Sequence, residues 1–546
     1  NYNFKGEAYY HYSYDKSLEE GQKVHHIEEE DPPFPSQIIA DRHSLLATQI
    51  VERLKKSTKN QYEPAPIQHL EVKIIEAIRI LTCDPGVDPS KSEAHKDKPF
   101  SNAMREIYQQ HPENPEVSFF LASSIMTIHA WKLFEYPSGR PLSSDVQEVQ
   151  FVLEKSLEQH PEHVGLCHLY CHLCEMSSYP DKALPACDIL RKKFPDAGHL
   201  LHMPTHIDVL IGDYEACVYW NMAAIQADKK SMTLHPSFNK QTSFYFGYIV
   251  HDFHMLVYGA VLGAMEGIAM DVAKELNTYV NEDLFQKEPG LSEYLESYAA
   301  LDIHVLVRFG RWFEILGIKF PNDTNLMLYR SASLYYARAI AFANIGNIQA
   351  AKEEANCYEK LKKNPDAERR ILHNNVVSDL LEVDSAMMMG EISFFEGKYT
   401  VAFKNLERAV ELQDRLNYDE PWGKMQPVRH ALGGLLLKHG NVNDAEIVFR
   451  QDLKLHPKNP WALTGLIGCL DAQLNETADA SIGCTCSGLA DKKSEYRDTL
   501  SKEIRRDKMV ERGALKEQLS KQRQCRWADF RVTHSCACCS SVSNTN

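Results

Sequence analysis

VGLCHLYCHLCE at 164–175, read together with GHLLHMPTHIDVLIGD at 198–213, decides the fold. Each stretch holds a histidine pair spaced i, i+4: His168/His172 in the first and His202/His206 in the second, 34 residues apart. A tetratricopeptide unit is a helix pair that repeats every 34 residues, so this offset sets both pairs at equivalent places on successive units. Four imidazoles at equivalent places exceed what packing asks for.

Working outward, turn residues fix the register a second time. Pro161 and Pro195 stand 34 residues apart, where such a unit turns into the next. Counted from Pro195, Gly212 falls at position 15, where the first (A) helix of a pair ends; counted from Pro161, Ala183 falls at position 20 in the second (B) helix. Gly310, Gly346, Gly397 and Gly440 close further A helices by the same ruler, and Gly267 is expected to close the one containing VHDFH at 250–254. The surplus between Pro112 and Pro161 predicts an insertion around Tyr136-Pro-Ser-Gly-Arg-Pro, and a second lies near 230–242. The fold class is therefore all-α, a right-handed superhelix (solenoid) of antiparallel tetratricopeptide-like helix pairs, roughly eight of them between about residues 100 and 475. Three segments follow: an N-terminal helical or irregular 1–63, the repeat array 64–475, and a polar, disordered or partly helical tail 476–546.

Bulk properties narrow the function. A formal net charge of −15 argues against nucleic acid or an anionic membrane surface as the main partner. The near-apolar run Met255–Met270 contains Glu266 and is too short to span a bilayer, so no transmembrane segment is expected. Cys167, Cys171 and Cys174 share one predicted helix and read as small packing residues. A metal knuckle in the terminal HSCACCSSVSNTN is the lesser reading beside a disordered tail. The compartment stays open, cytoplasmic or secreted.

HLYCHLCE (168–175), AGHLLHMPTHIDVLIGDY (197–214), HVLVRFGRW (304–312), NYDEPWGKMQPVRHALG (417–433) and NPWALTGL (459–466) resemble a large, mostly bacterial and poorly characterised group of tetratricopeptide-repeat proteins. The resemblance runs from about residue 65 to 475 and implies a fold more firmly than an activity. Leu210 stands where the group has Arg, Asp252 where it has Asn and His430 where it has Glu, departures that bear on a shared substrate. The opening Asn1-Tyr-Asn resembles a point inside the group's early repeats, which implies a portion upstream.

Positions 2, 5, 9 and 12 of an A helix share one face and line the inner curve of such an array. His168, His172 and Glu175 take positions 5, 9 and 12; His199, His202 and His206 take 2, 5 and 9. Gly165, at position 2, leaves room for something to approach. His251 and His254 extend the set, and His304 lies farther along. An i, i+4 imidazole pair offers two nitrogens to one ion, which favours copper, with zinc or iron possible, and iron gains if Glu175 joins. Expected metal ligands are His168, His172, His199, His202, His206, His251 and His254, with Glu175 as further ligand or general base of a metal-dependent oxidoreductase or hydrolase. Two alternatives stand: a non-catalytic scaffold whose groove holds a peptide or protein, and a groove binding a small organic acid through protonated histidines. Tyr418, Asp419, Glu420 and Trp422 either rim the groove or staple a loop; Arg308 and Arg338 are expected beside buried carboxylates.

Overall fold

The computed structural model describes residues 66–82, 94–135, 138–234, 241–482 and 492–524. The expected segment 1–63, the Cys-rich end 534–546 and parts of both insertions (136–137 and 235–240) lie outside the described residues. The described chain is all-α apart from two hairpins with two-residue strands. It divides into two compact units, Asn1–Pro195 and Asp196–Asn546.

The first unit contains α1 (Pro66–Thr82), α2 (Ala94–Gln110) and two helix pairs: α3 (Pro115–Ile128) with α4 (Ser144–Gln159), and α5 (Val164–Glu175) with α6 (Leu184–Lys193). Asn114 caps α3 by accepting from the Glu116 and Val117 amides, with Pro115 in the first turn, where a missing N–H costs nothing. His163 caps α5: its Nδ1 accepts from the Leu166 amide at 3.1 Å. In the loop joining α3 to α4, Phe134–Glu135 pairs with Arg140–Pro141. Gly165 has a packing reason that the sequence did not disclose. A Cβ there would meet the Phe119 ring at 2.7 Å, so α3 fills the room the glycine leaves. Cys171 and Cys187 bring their sulfurs to 3.5 Å in the buried seam of α5 and α6. Burial pushes the Cys167 and Cys174 thiols up to about 12, which suits packing residues.

Six pairs follow in the second unit: α7 (Gly198–Ile211) and α8 (Tyr214–Leu234); α9 (Phe244–Leu262) and α10 (Glu266–Tyr279); α11 (Leu301–Arg308) and α12 (Trp312–Gly317); α13 (Leu328–Asn344) and α14 (Ile348–Leu361); α15 (Val377–Phe395) and α16 (Tyr399–Gln413); α17 (Val428–His439) and α18 (Val442–Leu455). The hairpin of Ile371–Leu372 with Asn375–Val376 precedes α15. Two longer helices end the described chain, α19 (Pro460–Ile482) and α20 (Lys492–Arg523). α20 lays Leu515 and Leu519 against Leu453, Leu463 and Ile467. No helix among the described residues is long and apolar enough to cross a membrane.

Gly212, Gly310, Gly346, Gly397 and Gly440 all take positive φ, from 66° to 95°, directly after an A helix. In each case the next residue's amide reaches back to a carbonyl five residues earlier, as from Asp213 to Asp208 and Asn441 to Leu436, satisfying groups a helix end leaves orphaned. α9 departs from the expected register. Its left-handed cap is Ala264 at φ 59°, with the Met265 amide bonded to the Ala260 carbonyl, and Gly267 lies inside α10. The glycine next door, Gly263, serves close approach instead: a Cβ there would meet Tyr214 Cβ at 2.9 Å and the Met265 methyl at 2.4 Å. The shift of three residues moves His251 to position 2 and His254 to position 5 of their A helix, equivalent to His199 and His202.

Contacts within the second unit also join its early and late pairs. The Tyr214 hydroxyl donates to the Pro457 carbonyl at 2.8 Å, and the Trp461 indole to the Val261 carbonyl at 2.9 Å. The glycines allow a test of opposite signs. Gly440→Ala meets no steric neighbour but keeps φ 95°, and it is expected to cost about 1–2 kcal/mol in urea unfolding. Gly247→Ala, inside exposed α9 backbone with nothing within 4 Å, is expected to gain about 0.5–1 kcal/mol.

Candidate metal centre

α7 carries His202 and His206 one turn apart, and α9 brings His251 beside them. One ring nitrogen from each can be chosen so that all three lie within 4.8 Å of one another. A neighbouring amide fixes the tautomer of His202. Asn221 Nδ2 donates to the Cys217 carbonyl at 2.9 Å, which turns its Oδ1 toward His202 Nδ1 at 2.7 Å. An amide oxygen only accepts, so His202 Nδ1 carries hydrogen and Nε2 presents a lone pair. Asp252 Oδ1 lies 3.0 Å from the same Nδ1. On His206, Nδ1 faces Glu420 Oε2 at 3.3 Å. The two Nε2 atoms then point at each other across 2.8 Å. Pro204 sits between the two histidines and removes one backbone donor from the turn that carries them.

Burial holds the His251 imidazolium well below the usual histidine range, and the neighbouring rings of His202 and His373 add to this. His251 Nδ1 is buried with no hydrogen-bond partner. His199 stacks on His202 at 6.1 Å and meets the Tyr248 ring at 4.6 Å. Behind Asp252 lies Asp228, which accepts from the Tyr245 hydroxyl at 2.9 Å. Burial raises both carboxyls, and their mutual contact raises Asp252 further.

The other expected residues are not members of that triad. His254 is absent from the triad above: its Nε2 lies 3.2 Å from Met425 Sδ, and its ring meets Tyr298 edge-on. Burial lowers it to about 3, so it stays neutral. His304 is buried on α11 and likewise lowered by burial. In the first unit, the His168 and His172 rings sit 4.8 Å apart, and His172 Nδ1 contacts Glu175 Oε1 at 2.7 Å. The four histidines that open the sequence argument thus divide between the two units. Glu420 Oε2 comes within 3.3 Å of His206 Nδ1, and Tyr418 and Trp422 pack edge-on within the loop. Arg338 pairs with Glu354 at 2.8 Å as expected. Arg308 does not meet a carboxylate: it donates to His430 Nδ1 at 2.9 Å and lies over the Trp461 ring, and His430 Nε2 passes the contact on to Asp452 at 2.6 Å.

Two contributors had no place in the sequence reading. Asn221 and His373 surround the same imidazoles, His373 stacking on His251 with rings 5.3 Å apart and 17° from parallel. The signal for His373 was the His-Asn-Asn turn triplet at 373–375 between two apolar pairs.

With this geometry in hand, comparison with known proteins adds little. No protein-family profile matches the chain, and no curated protein matches it. Among solved structures it is similar to the human IFIT1 dimer with PPP-AAAA and to the human IFIT1 dimer with m7Gppp-AAAA. Each is 13% identical and covers 79% of this chain and 74% of that chain, with TM-scores of 0.27 and 0.28. A likeness this loose carries no inference about ligands here.

A second polar group is buried between α13 and α15. Lys424 pairs with Asp384 and lies over the Tyr336 ring at 4.8 Å, while both Glu391 oxygens are buried without a hydrogen-bond partner. Burial raises Glu391 from 4.5 to about 8, against the pull of Lys424. A carboxyl that holds its proton more tightly when folded stabilises at low pH and loses that contribution as pH rises. Stability is therefore expected to fall between about pH 4.5 and 8, by up to about 1.4 kcal/mol per unit. Glu391→Gln should flatten that part of the pH profile of urea midpoints relative to the parent.

Proposed function

We propose that this protein binds a transition-metal ion through His202, His206 and His251, inside an all-α array of tetratricopeptide-like helix pairs. One observation carries the reading. With Nδ1 of His202 committed to Asn221, its Nε2 presents a lone pair 2.8 Å from Nε2 of His206. That lone pair takes either a proton from His206 or a shared ion, and metal-ligating imidazoles characteristically give their other nitrogen to a carboxylate or amide oxygen. A proton shared by the pair is the competing occupant.

An all-nitrogen set suits copper first, with zinc or iron next. The ion would supply Lewis-acid or redox chemistry, the basis on which a metal-dependent oxidoreductase or hydrolase activity is proposed. His168 and His172, with Glu175 as ligand or base, form a second candidate set in the first unit. The kinship to bacterial tetratricopeptide proteins is proposed on the strings HLYCHLCE and AGHLLHMPTH alone. A groove that grips acids through protonated histidines is disfavoured by the burial that keeps His251 and His254 neutral.

Elemental analysis of the purified chain beside His202→Ala/His206→Ala is the test. About one equivalent of metal per site is expected in the parent and a loss of at least tenfold in affinity in the variant, with helical circular dichroism unchanged. No metal in the parent after incubation with copper, zinc and iron would leave the shared proton and a peptide-binding scaffold as the reading.

A further inference from the structure

His373 stands out among the buried rings because of how it is held. It opens the two-residue turn of the hairpin before α15, at φ 52°. A side chain in the left-handed region costs roughly 1–2 kcal/mol, and such strain persists only where surrounding structure imposes it. That structure is present. Asn375 accepts from the Asn417 amide at 2.8 Å and donates to Asp419 Oδ2 at 2.8 Å, and Asn417 Nδ2 donates to the Asn374 carbonyl at 2.9 Å. The hairpin is thereby fastened to the 417–420 loop, the same loop whose Glu420 faces His206.

Asp419 occupies the centre of this fastening. Besides Asn375, its carboxylate accepts from the Glu420 amide at 3.0 Å and from His373 Nδ1. The contact to Nδ1 makes that nitrogen the donor and leaves Nε2 as the lone-pair nitrogen of the ring. The ring itself lies nearly parallel to His251, whose own Nδ1 is buried without a hydrogen-bond partner. Simple packing against His251 needs neither the left-handed backbone nor a carboxylate behind the ring. A ligand held ready for an ion uses both: the carboxylate sets the tautomer and raises the basicity of the nitrogen opposite.

We infer that His373, which stacks on His251 beside the grouped nitrogens of His202, His206 and His251, moves in as a further nitrogen ligand when the ion binds, and that Asp419 is its positioning residue. The inference rests on the metal reading above and deepens it. The centre then draws imidazoles from α7, α9 and a hairpin, and the class of ion it takes is one that accepts four such nitrogens, copper(II) or zinc.

The test uses the full chain loaded with copper(II). Nitrogen couplings in its electron paramagnetic resonance spectrum count the imidazoles bound, and competition against a chelator gives affinity. His373→Asn removes the imidazole but keeps a residue that tolerates the left-handed turn. It should lose one coupled nitrogen and bind copper at least ten times more weakly. Asp419→Asn should keep the nitrogen count while weakening binding about 10–100-fold. An unchanged spectrum and affinity in His373→Asn, with copper still bound in the parent, would overturn this inference and leave the three-histidine reading intact. A parent that takes up no copper would overturn both.

Discussion

The bond from the Tyr214 hydroxyl to the Pro457 carbonyl ties the first pair of the second unit to the end of its last pair, 243 residues away. Gly212 shows how close the approach is, since a Cβ there would come within 2.2 Å of the same carbonyl. In an ordinary repeat array each unit touches only its neighbours, so stability is a sum of local terms. Here Trp461 reaches Val261, Gln426 reaches the His304 carbonyl and Arg308 reaches His430, so early helices depend on late ones. The histidine centre inherits that dependence. Its rings come from α7 and α9, while Glu420, His373 and Asp419 arrive from more than a hundred residues further on.

That geometry also answers an electrostatic demand. Imidazole nitrogens taken out of water require partners, and an unmet one costs roughly 1–3 kcal/mol. Around His202 the chain supplies the Asn221 oxygen, with Asp252 3.0 Å away, and Glu420 stands 3.3 Å from His206. All of these meet the Nδ1 side, and the two Nε2 atoms face each other across 2.8 Å.

How much of this could be read beforehand follows from what each residue answers to. The A-helix ends were legible at Gly212, Gly310, Gly346, Gly397 and Gly440 because a left-handed cap selects glycine by itself. At Ala264 the rule misled, since Gly263 was needed for the approach of Tyr214 and the cap fell to an alanine. His202, His206 and His251 were visible through helical spacing. His254 followed the same pattern, yet it turns to Met425, a partner set by tertiary contact alone. Neither His373 nor Asn221 has a helical period to reveal it. The division of the chain after Pro195 was hidden for a related reason: the 34-residue ruler runs through that point unbroken, and only contacts show where one unit stops.

α20 is attached largely through polar contacts. Among its described side chains, two leucines meet the apolar surface beneath, Arg450 is forked onto Glu511 at 2.6 and 2.9 Å, Arg512 reaches Asp471 at 2.7 Å and Lys508 reaches Gln473 at 2.8 Å. The ion-paired side chains are about a third exposed, where an ion pair is worth roughly 0–1 kcal/mol and fades as salt shortens the Debye length from about 10 Å at 0.1 M to 3 Å at 1 M. The glycine caps and the Tyr214 lock carry no net charge and do not respond to ionic strength. Added salt is therefore expected to loosen the seat of the final helix while leaving the uncharged glycine caps and the Tyr214 lock unaffected.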